Sequence, residues 1–284
     1  MKPVATPISL NISRGLPWWL WPNILSLDAP LVAVVGLAAF AQAMGVDLGW
    51  ERPLLLALCA WLAYCGDRLL DARRLNGPVE SGRHEFARIN LRLLGCIWLV
   101  ALTVAVVLAV QLPYGELLAG IGLAAAVSGY FLLQHHPELR GMAGRGKELM
   151  AGAGFAAGTL FFIVLNAPVT LPLVLLGVAW VVLCAMNCLL IAGWDRVQDM
   201  AMEQHSMAQH WPEMERAFPR LAMAPPALAG VTAVVDAEWL PLAIALAACA
   251  VALLELARRA PRMDPEARRV WADTVLLMPV LILI

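Results

Sequence analysis

Long apolar segments of about 20 residues follow one another along most of the chain, and short polar stretches separate them. A segment of this length allows an α-helix to cross the hydrocarbon core of a bilayer. We place nine such segments, at residues 28–46, 53–71, 90–111, 113–134, 147–166, 171–194, 219–235, 238–257 and 269–284. The seventh contains Pro225-Pro226, which would kink or shorten its helix. The pattern predicts an all-α, polytopic membrane protein built as a bundle of nine transmembrane helices.

Composition agrees with a membrane protein. Of the 284 residues, 61% are hydrophobic and 14% are charged, and the mean hydropathy is +0.75. A soluble domain carries about 25% charged residues. The net charge of −1 says little about partners. We expect the lipid bilayer to surround the protein and expect no nucleic-acid partner. The six cysteines lie in apolar segments without CxxC spacing, which favours neither disulfides nor a zinc site.

The basic residues predict the orientation. Of the 20 Lys and Arg residues, only Arg52 falls among the short links on one side of the nine segments, and the others fall on the opposite side. Basic residues collect in cytoplasmic loops. We therefore expect a multi-pass membrane protein, in the cytoplasmic membrane if bacterial. Its N-terminus and long connections would be cytoplasmic and its C-terminus on the opposite side.

One short motif occurs twice. It reads Asp67-Arg68-Leu69-Leu70-Asp71 and Asp195-Arg196-Val197-Gln198-Asp199, and each copy ends an even-numbered segment on the same predicted side. Residues four apart share one face of a helix, so each copy can direct two carboxylates the same way. Charges at the membrane are energetically expensive and often mark function.

The repeated motif also suggests how the chain is organised. We predict a single transmembrane domain over residues 1–284, with two pseudo-repeats at about 28–134 and 147–257 and a ninth helix at 269–284. Three glycines of the fifth segment, Gly152, Gly154 and Gly158, are expected to allow close helix packing.

Four converging carboxylates, those of Asp67, Asp71, Asp195 and Asp199, would make a site of hard oxygen ligands. Mg²⁺ suits such a site because it binds carboxylates and fills its shell with water and phosphate oxygens. Two ions could bridge a diphosphate and neutralise it as a leaving group. The alternative is that these Asp-Arg pairs only end helices and pair with neighbours at the water interface.

Further side chains on the same side are candidates for binding the substrate. A fixed cation can hold a diphosphate, although positive-inside bias also explains a single Arg. Tyr130 could face a carbocation or anchor the interface, and Ser206 could contact phosphate or cap a short helix. The polar candidates are Arg68, Arg83, His84, Arg88, Arg140, Arg145, Lys147, Arg196, His205 and Ser206.

The paired motifs resemble those of the UbiA-type intramembrane prenyltransferase family. That family has nine transmembrane helices, with aspartate-rich motifs after the second and the sixth. Asn187, Tyr130 and Lys147 also resemble polar, aromatic and basic positions of the family. The resemblance implies UbiA-like topology, with Mg²⁺ held by the four motif aspartates. It further implies a prenyl group moved from an isoprenyl diphosphate to a lipophilic or aromatic acceptor.

The first motif departs from the family pattern. Ala63-Tyr64 stands where the family has Asn-Asp, so an amide and a carboxylate are missing, and Ser81–Arg88 lacks the family's Arg-Thr-x-x-Arg-Pro stretch. Two alternatives therefore remain, a UbiA-type terpene cyclase that needs no acceptor and a non-catalytic membrane protein that keeps the fold. A CDP-alcohol phosphatidyltransferase would need an Asp-Gly-x-x-Ala-Arg core, which neither motif supplies. An ion-coupled transporter would need charges near mid-membrane, whereas the motif charges lie at the predicted cytoplasmic edge.

Overall fold

The structure is a computed structural model that describes residues 17–74, 82–136, 144–201, 206–211 and 213–284. Within these ranges the chain forms helices and no strand. The α-helices are α1 (Trp21–Ile24), α2 (Asp28–Met44), α3 (Glu51–Arg74), α4 (Gly82–Ile89), α5 (Leu91–Ala109), α6 (Tyr114–His135), α7 (Lys147–Asn166), α8 (Leu171–Ala201), α9 (Met207–His210), α10 (Met214–Leu221), α11 (Ala224–Val235), α12 (Leu240–Arg259) and α13 (Pro265–Val275). Short 3₁₀ segments occur at Trp18–Leu20, Ala237–Trp239, Ala260–Arg262 and Met278–Ile282.

Seven helical segments of the described chain are long and apolar enough to cross a membrane, as a multi-pass membrane protein requires. They are Glu51–Arg73, Leu91–Ala109, Tyr114–Gln134, Lys147–Asn166, Leu171–Val197, Arg216–Val235 and Ala237–Arg262. An eighth is obtained if Trp18–Ile24 and Asp28–Met44, which meet at an angle of 84°, count as one broken span.

The described residues therefore give seven or eight candidate spans where the sequence predicts nine. The predicted ninth span, 269–284, is replaced by α13 and the 3₁₀ segment Met278–Ile282. The helix begins earlier than expected because the Asp264 side chain accepts hydrogen bonds from the backbone N–H of Glu266 (2.9 Å) and Ala267 (3.1 Å). It ends at Val275, because Pro279 has no N–H to donate to the Val275 carbonyl and its ring would clash with that carbonyl in a continuous α-helix.

The proline pair of the seventh segment interrupts it as predicted. Pro225 and Pro226 lie in the first turn of α11, where a backbone N–H has no helical partner to lose. The helix before them, α10, ends at Leu221. The segment is thus two helices that together are long enough to span.

The central element of the bundle is α8. Its side chains Leu176, Trp180, Leu183 and Met186 are fully buried, and α7, α11, α12 and α13 pack around it. The helices α7 and α8 approach closely at Gly152, where a Cβ atom would lie 2.5 Å from the backbone nitrogen of Ala185. This confirms the prediction for that glycine.

The prediction of close packing is wrong for Gly154 and Gly158. A Cβ atom at either position would meet no heavy atom within 4 Å, outside its own helix and chain neighbours. Both glycines lie on faces of α7 that turn away from α8. Of the three glycines, Gly152 is the one at which α7 and α8 approach closely.

The first motif helix, α3, holds the bend between α1 and α2. The indole N–H of Trp61 donates to the Leu25 carbonyl (2.9 Å). The guanidinium of Arg68 donates to the Asn23 carbonyl and, at 3.2 Å, to the Ile24 carbonyl. These bonds satisfy carbonyls that the end of α1 would leave without partners, and they fix where α2 begins.

Two helices, α5 and α6, lie at the edge of the bundle with most of their apolar side chains exposed, as lipid-facing helices would be. α5 packs on α3 and α6 packs on α7. A salt bridge between Arg52 and Glu116, 2.7 Å from Nη2 to Oε1, joins the start of α3 to the start of α6. These two helix starts therefore lie at the same end of the bundle.

Candidate functional site

The first motif lies in the last two turns of α3. Asp67 and Asp71 are one helical turn apart and half-buried. Arg68, between them in sequence, is buried and directed to the bend between α1 and α2. The two carboxylates of the motif therefore share a face, as predicted, whereas its arginine contacts backbone on another face.

The second motif lies at the end of α8, the central helix. Asp195 is buried, with 4% of its surface exposed, and Asp199 is half-buried one turn further on. The candidate span ends at Val197, so Asp199 lies just beyond it. The Arg196 side chain is half-buried, and its Nε atom has no hydrogen-bond partner among the described residues.

The two motifs come together at Lys147, the first residue of α7. Its ammonium group lies within electrostatic range of Asp67 and Asp71 from the first motif and of Asp199 from the second. Asp67 and Asp199 are 132 positions apart in sequence, so their approach to one cation is a property of the fold. The predicted convergence of the motifs holds for these three carboxylates.

Asp195 has a different partner. Arg269 of α13 donates from Nη2 to Oδ1 at 2.6 Å and from Nε to Oδ1 and Oδ2 at 2.9 and 2.8 Å. Only 1% of the Arg269 side chain is exposed. A guanidinium that contacts both oxygens of a carboxylate in a buried place forms one of the strongest kinds of ion pair. Asp195 is thus neutralised by a residue of its own chain.

Two more charged residues extend this pair. Glu266 lies 3.1 Å from Nη1 of Arg269 and also accepts a hydrogen bond from the backbone N–H of Gly82 at 3.4 Å. Arg83 lies 3.5 Å from Oδ2 of Asp195. The network of Asp195, Arg269, Glu266 and Arg83 therefore ties α4, α8 and α13 together. We call these four residues the buried ion network.

Arg268 adds a second attachment of α13 to α8. Its Nη2 atom donates to the Trp194 carbonyl at 2.8 Å, and its guanidinium carbon lies 5.5 Å from the centre of the Trp194 ring. This cation–π contact and the buried ion network hold the C-terminal part of α8.

The pKa of Asp199 is raised to about 6, mainly because the carboxyl is buried; Lys147 and Arg83 act to lower this pKa, and the charge of Asp195 acts to raise it. A carboxyl group with a pKa in this range changes its charge near neutral pH. A cation bound beside Asp199 would favour its ionised form.

Several other predicted site residues are placed by the structure. The Tyr130 hydroxyl makes a long hydrogen bond, 3.5 Å, to the Lys147 carbonyl, and it lies in electrostatic range of Asp67. Tyr130 and Lys147 thus belong beside the first motif. By contrast, the Asn187 amide donates to Asp273 at 2.8 Å, two turns before the second motif.

The remaining candidates are less closely placed. Ser206 is buried and precedes α9, but its hydroxyl neither caps that helix nor has a hydrogen-bond partner in the described chain. Arg88 and Arg145 are exposed. Only the backbone of His84 is described, in α4, and Arg140 and His205 lie outside the described residues.

Sequence reasoning missed three residues of the site. The sequence pattern indicates Arg269 only as a basic residue on the predicted cytoplasmic side, and it does not single out Glu266. Glu148, next to Lys147, is buried and accepts hydrogen bonds from the Met207 N–H at 3.1 and 3.2 Å. The sequence feature that could have indicated Glu148 is the charged pair Lys147-Glu148 at the very start of an apolar segment.

Among the described residues, no three His, Cys, Asp or Glu side chains lie close enough together to hold a metal ion. Asp195 does not fit a metal ligand here, because its two oxygens already accept hydrogen bonds from Arg269. Comparison with family models, with curated proteins and with solved structures finds no match to the chain.

Proposed function

We propose that the protein is an intramembrane transferase that moves a prenyl group from an isoprenyl diphosphate to a lipophilic acceptor. The observation that supports this most is the approach of Asp67, Asp71 and Asp199, from both motifs, to the single cation Lys147. Such a mixed cluster at the mouth of an apolar bundle suits a charged headgroup attached to a hydrocarbon chain.

The resemblance to UbiA-type prenyltransferases supplies the substrate class. In this proposal the finer topology is also UbiA-like. The bent pair α1–α2 takes the place of the first of nine membrane helices, and α13 with Met278–Ile282 takes the place of the ninth. In this proposal both motifs and the N-terminus lie on the cytoplasmic side and the C-terminus on the other, and the uneven distribution of basic residues supports this orientation.

The side chains near the motifs would have separate roles in binding and reaction. Lys147 would bind the diphosphate as a fixed cation, and Arg83, whose guanidinium is held 3.5 Å from Asp195, would add a second positive charge. Tyr130, in range of Asp67, would present its ring to the carbon that loses the diphosphate. The diphosphate would leave with the bonding electron pair, and an acceptor would supply the electrons of the new bond.

The proposal includes Mg²⁺, but with fewer aspartate ligands than the family resemblance implies. Asp67, Asp71 and Asp199 are not close enough together to serve as three ligands of one ion, so one or two of them would bind Mg²⁺ together with water and diphosphate oxygens. Asp195 would remain paired with Arg269. Bound Mg²⁺ would neutralise the charge that develops on the leaving diphosphate.

A second candidate is a non-catalytic membrane protein of the same architecture that binds a lipid or a partner. The observation that favours it is the Asp195–Arg269 pair, since a motif aspartate that is fully occupied within its own chain has lost its most obvious catalytic use. This candidate predicts binding without turnover.

The test uses the full-length protein reconstituted into lipid vesicles and supplied with radiolabelled prenyl diphosphates of two to four isoprene units, with and without Mg²⁺ and a pool of aromatic acceptors. We expect Mg²⁺-dependent transfer, lowered at least about 100-fold by Asp67→Asn or Asp199→Asn. Asp47→Asn, in an exposed turn far along the chain from both motifs, should leave transfer unchanged.

Transfer that survives Asp67→Asn and Asp199→Asn would overturn the proposal. Hydrocarbon products formed without an acceptor would identify a terpene cyclase instead, and binding without any product would identify the non-catalytic candidate.

A further inference from the structure

Two half-buried carboxyl groups meet at a place separate from the aspartates of the two motifs. Asp28 is in the first turn of α2 and Asp273 lies near the end of α13. Asp273 is hydrogen-bonded to Asp28. The pair joins the N-terminal and C-terminal parts of the chain, and its members stand far apart in sequence from Asp67, Asp71, Asp195 and Asp199.

Two carboxyl groups in hydrogen-bonding contact share a proton. Two ionised carboxylates in contact would repel each other strongly in a medium of low dielectric constant, so one of them stays protonated and donates to the other. A hydrogen bond between two carboxyl groups requires this proton as its donor.

Hydrogen-bond donors surround both carboxyl groups. Asp28 accepts a hydrogen bond from the Asn23 amide at 2.6 Å and another from the backbone N–H of Ala29 at 3.0 Å, at a helix N-terminus where negative charge is favoured. Asp273 accepts one from the Asn187 amide at 2.8 Å. The pair is therefore held in place by donors from α1, α2 and α8.

The two asparagines beside the pair point to a missing partner. The side-chain oxygens of Asn23 and Asn187 are buried and have no hydrogen-bond partner among the described residues, although only 2% and 7% of these residues is exposed. A buried acceptor without a donor is costly. One of these oxygens belongs to the amide that donates to Asp28 and the other to the amide that donates to Asp273, so both are able to accept a hydrogen bond from an O–H group.

The carboxyl pair lies close to the motif site. Tyr64 of α3 is in electrostatic range of Asp28, Asp273 and Cys188, and it keeps 38% of its surface exposed. Cys188 is itself in range of both Asp273 and Lys147. Cys188 is therefore within electrostatic range both of the carboxyl pair and of the cation on which the motifs converge.

The charged and titratable groups around the pair come from three helices. Arg68, on α3, is in range of both carboxyls, and Arg83, on α4, is in range of Asp273. Cys188 faces Asp273 from α8. The two arginines favour a negative charge on the pair, which helps to keep one of its carboxyl groups ionised and able to accept a proton.

We propose that Asp28, Asp273, Asn23 and Asn187 form a second polar site, which binds the hydroxyl group of a lipophilic ligand and accepts its proton. The ligand O–H bond breaks, its electron pair stays on the ligand oxygen, and the proton passes to the ionised carboxylate of the pair. Both aspartates are then protonated until the proton leaves to water. The identity of this ligand as the acceptor of a prenyl group rests on the function proposed above, whereas the proton-holding pair and its preference for a hydroxyl do not.

The first measurement is the infrared spectrum of the full-length protein in lipid nanodiscs at neutral pH, in the absence of any ligand. We expect a carboxylic-acid carbonyl band that shifts in D₂O and is lost in Asp273→Asn, whereas the matched control Asp47→Asn retains it. A spectrum in which Asp273→Asn removes no such band would overturn the proton-holding pair.

The second measurement compares two probes on the unmodified protein, a long-chain alkylphenol and its methyl ether, which has the same hydrocarbon part but no O–H group. We expect the phenol to bind at least about tenfold more tightly, and Asp28→Asn to reduce this preference. Equal binding of the two probes would overturn the proposal without any need for a folded variant. The assay contains no diphosphate, so a phenol preference without prenyl transfer would refute only the proposed function. Transfer without a phenol preference would refute only the second site.

Discussion

Arg269 contacts both carboxylate oxygens of Asp195, and the two residues bring the last helix of the described chain onto the second motif. The contact takes place where 1% of the arginine side chain and 5% of the aspartate side chain are exposed. Each charge in such a pair depends on the other, because removing one partner leaves a buried charge uncompensated. The second motif is for this reason part of the framework of the protein as well as of its candidate site.

We predict that Arg269→Gln and Asp195→Asn each lower the free energy of unfolding by about 3–5 kcal/mol. The double variant should be more stable than the sum of the single losses implies, with a coupling of at least about 1 kcal/mol, because it leaves neither charge alone. Unfolding in mixed detergent micelles would measure this.

The matched control for this prediction is an exposed pair. Arg259 and Glu255 lie 2.6 Å apart on α12, but 73% and 43% of their side chains are exposed. The variants Arg259→Gln and Glu255→Gln should couple by less than about 1 kcal/mol. Equal coupling in the two cycles would contradict a special role for burial.

Two glycines on one helix are expected to respond to the same substitution with opposite signs. At Gly152 a new Cβ atom would lie 2.5 and 2.6 Å from backbone atoms of Ala185, so α7 and α8 must move apart. We expect Gly152→Ala to destabilise the protein by about 1–3 kcal/mol. Gly154→Ala meets open space and should stabilise the helix by about 0.5–1 kcal/mol. Thermal unfolding of the two variants gives the comparison, and losses of similar size would show that helix contact is not the cause.

The apolar pattern and the repeated motif were the features that sequence alone could predict well. Each depends on spacing along one segment, and the resulting helices carry Asp67, Asp71 and Asp199 to the same cation. The number of spans was harder to predict. Residues 269–284 contain enough apolar side chains for a span, but the Asp264 cap and Pro279 set the limits of the helix instead.

The partners of the charged residues could not be derived from spacing. An arginine such as Arg269, next to an apolar segment, fits positive-inside bias equally well whether it faces water or a buried carboxylate. Asp28 and Asp273 were each a single acid at a segment start or within a segment, and their meeting depends on how α2 packs against α13. Such pairings are set by tertiary structure.

Arg68 of the first motif is predicted to act in the structure and not on the substrate. Its guanidinium bonds to the carbonyls of Asn23 and Ile24 at the bend between α1 and α2, so Arg68→Met should lower the free energy of unfolding by about 2 kcal/mol. Binding of a prenyl diphosphate to the folded variant should remain as in the unaltered protein. The exposed residue Arg73, on the same helix, provides the control, and Arg73→Met should change stability by no more than about 0.5 kcal/mol. A loss of diphosphate affinity with unchanged stability would instead assign Arg68 to the substrate.

The stability of the protein should depend on pH through Asp199. Burial raises the pKa of this carboxyl to about 6 in the folded protein, against about 3.9 in an unfolded chain. Below pH 4 the group is protonated in both states and its contribution to stability is fully present. This contribution is lost as the pH rises through about 6, because the unfolded chain ionises more easily than the folded protein.

Asp199→Asn, which cannot ionise, should therefore gain stability relative to the unaltered protein as the pH is raised from 4 to 7, by about 2 kcal/mol. Unfolding measured at a series of pH values with a chelator present would follow this difference without interference from divalent ions. The neighbouring cation provides the control. Lys147 lowers the pKa of Asp199, so Lys147→Gln should move the loss of stability to higher pH. A difference between Asp199→Asn and the unaltered protein that stays constant from pH 4 to 7 would contradict the raised pKa, because a carboxyl with an ordinary pKa ionises over the same range in both states.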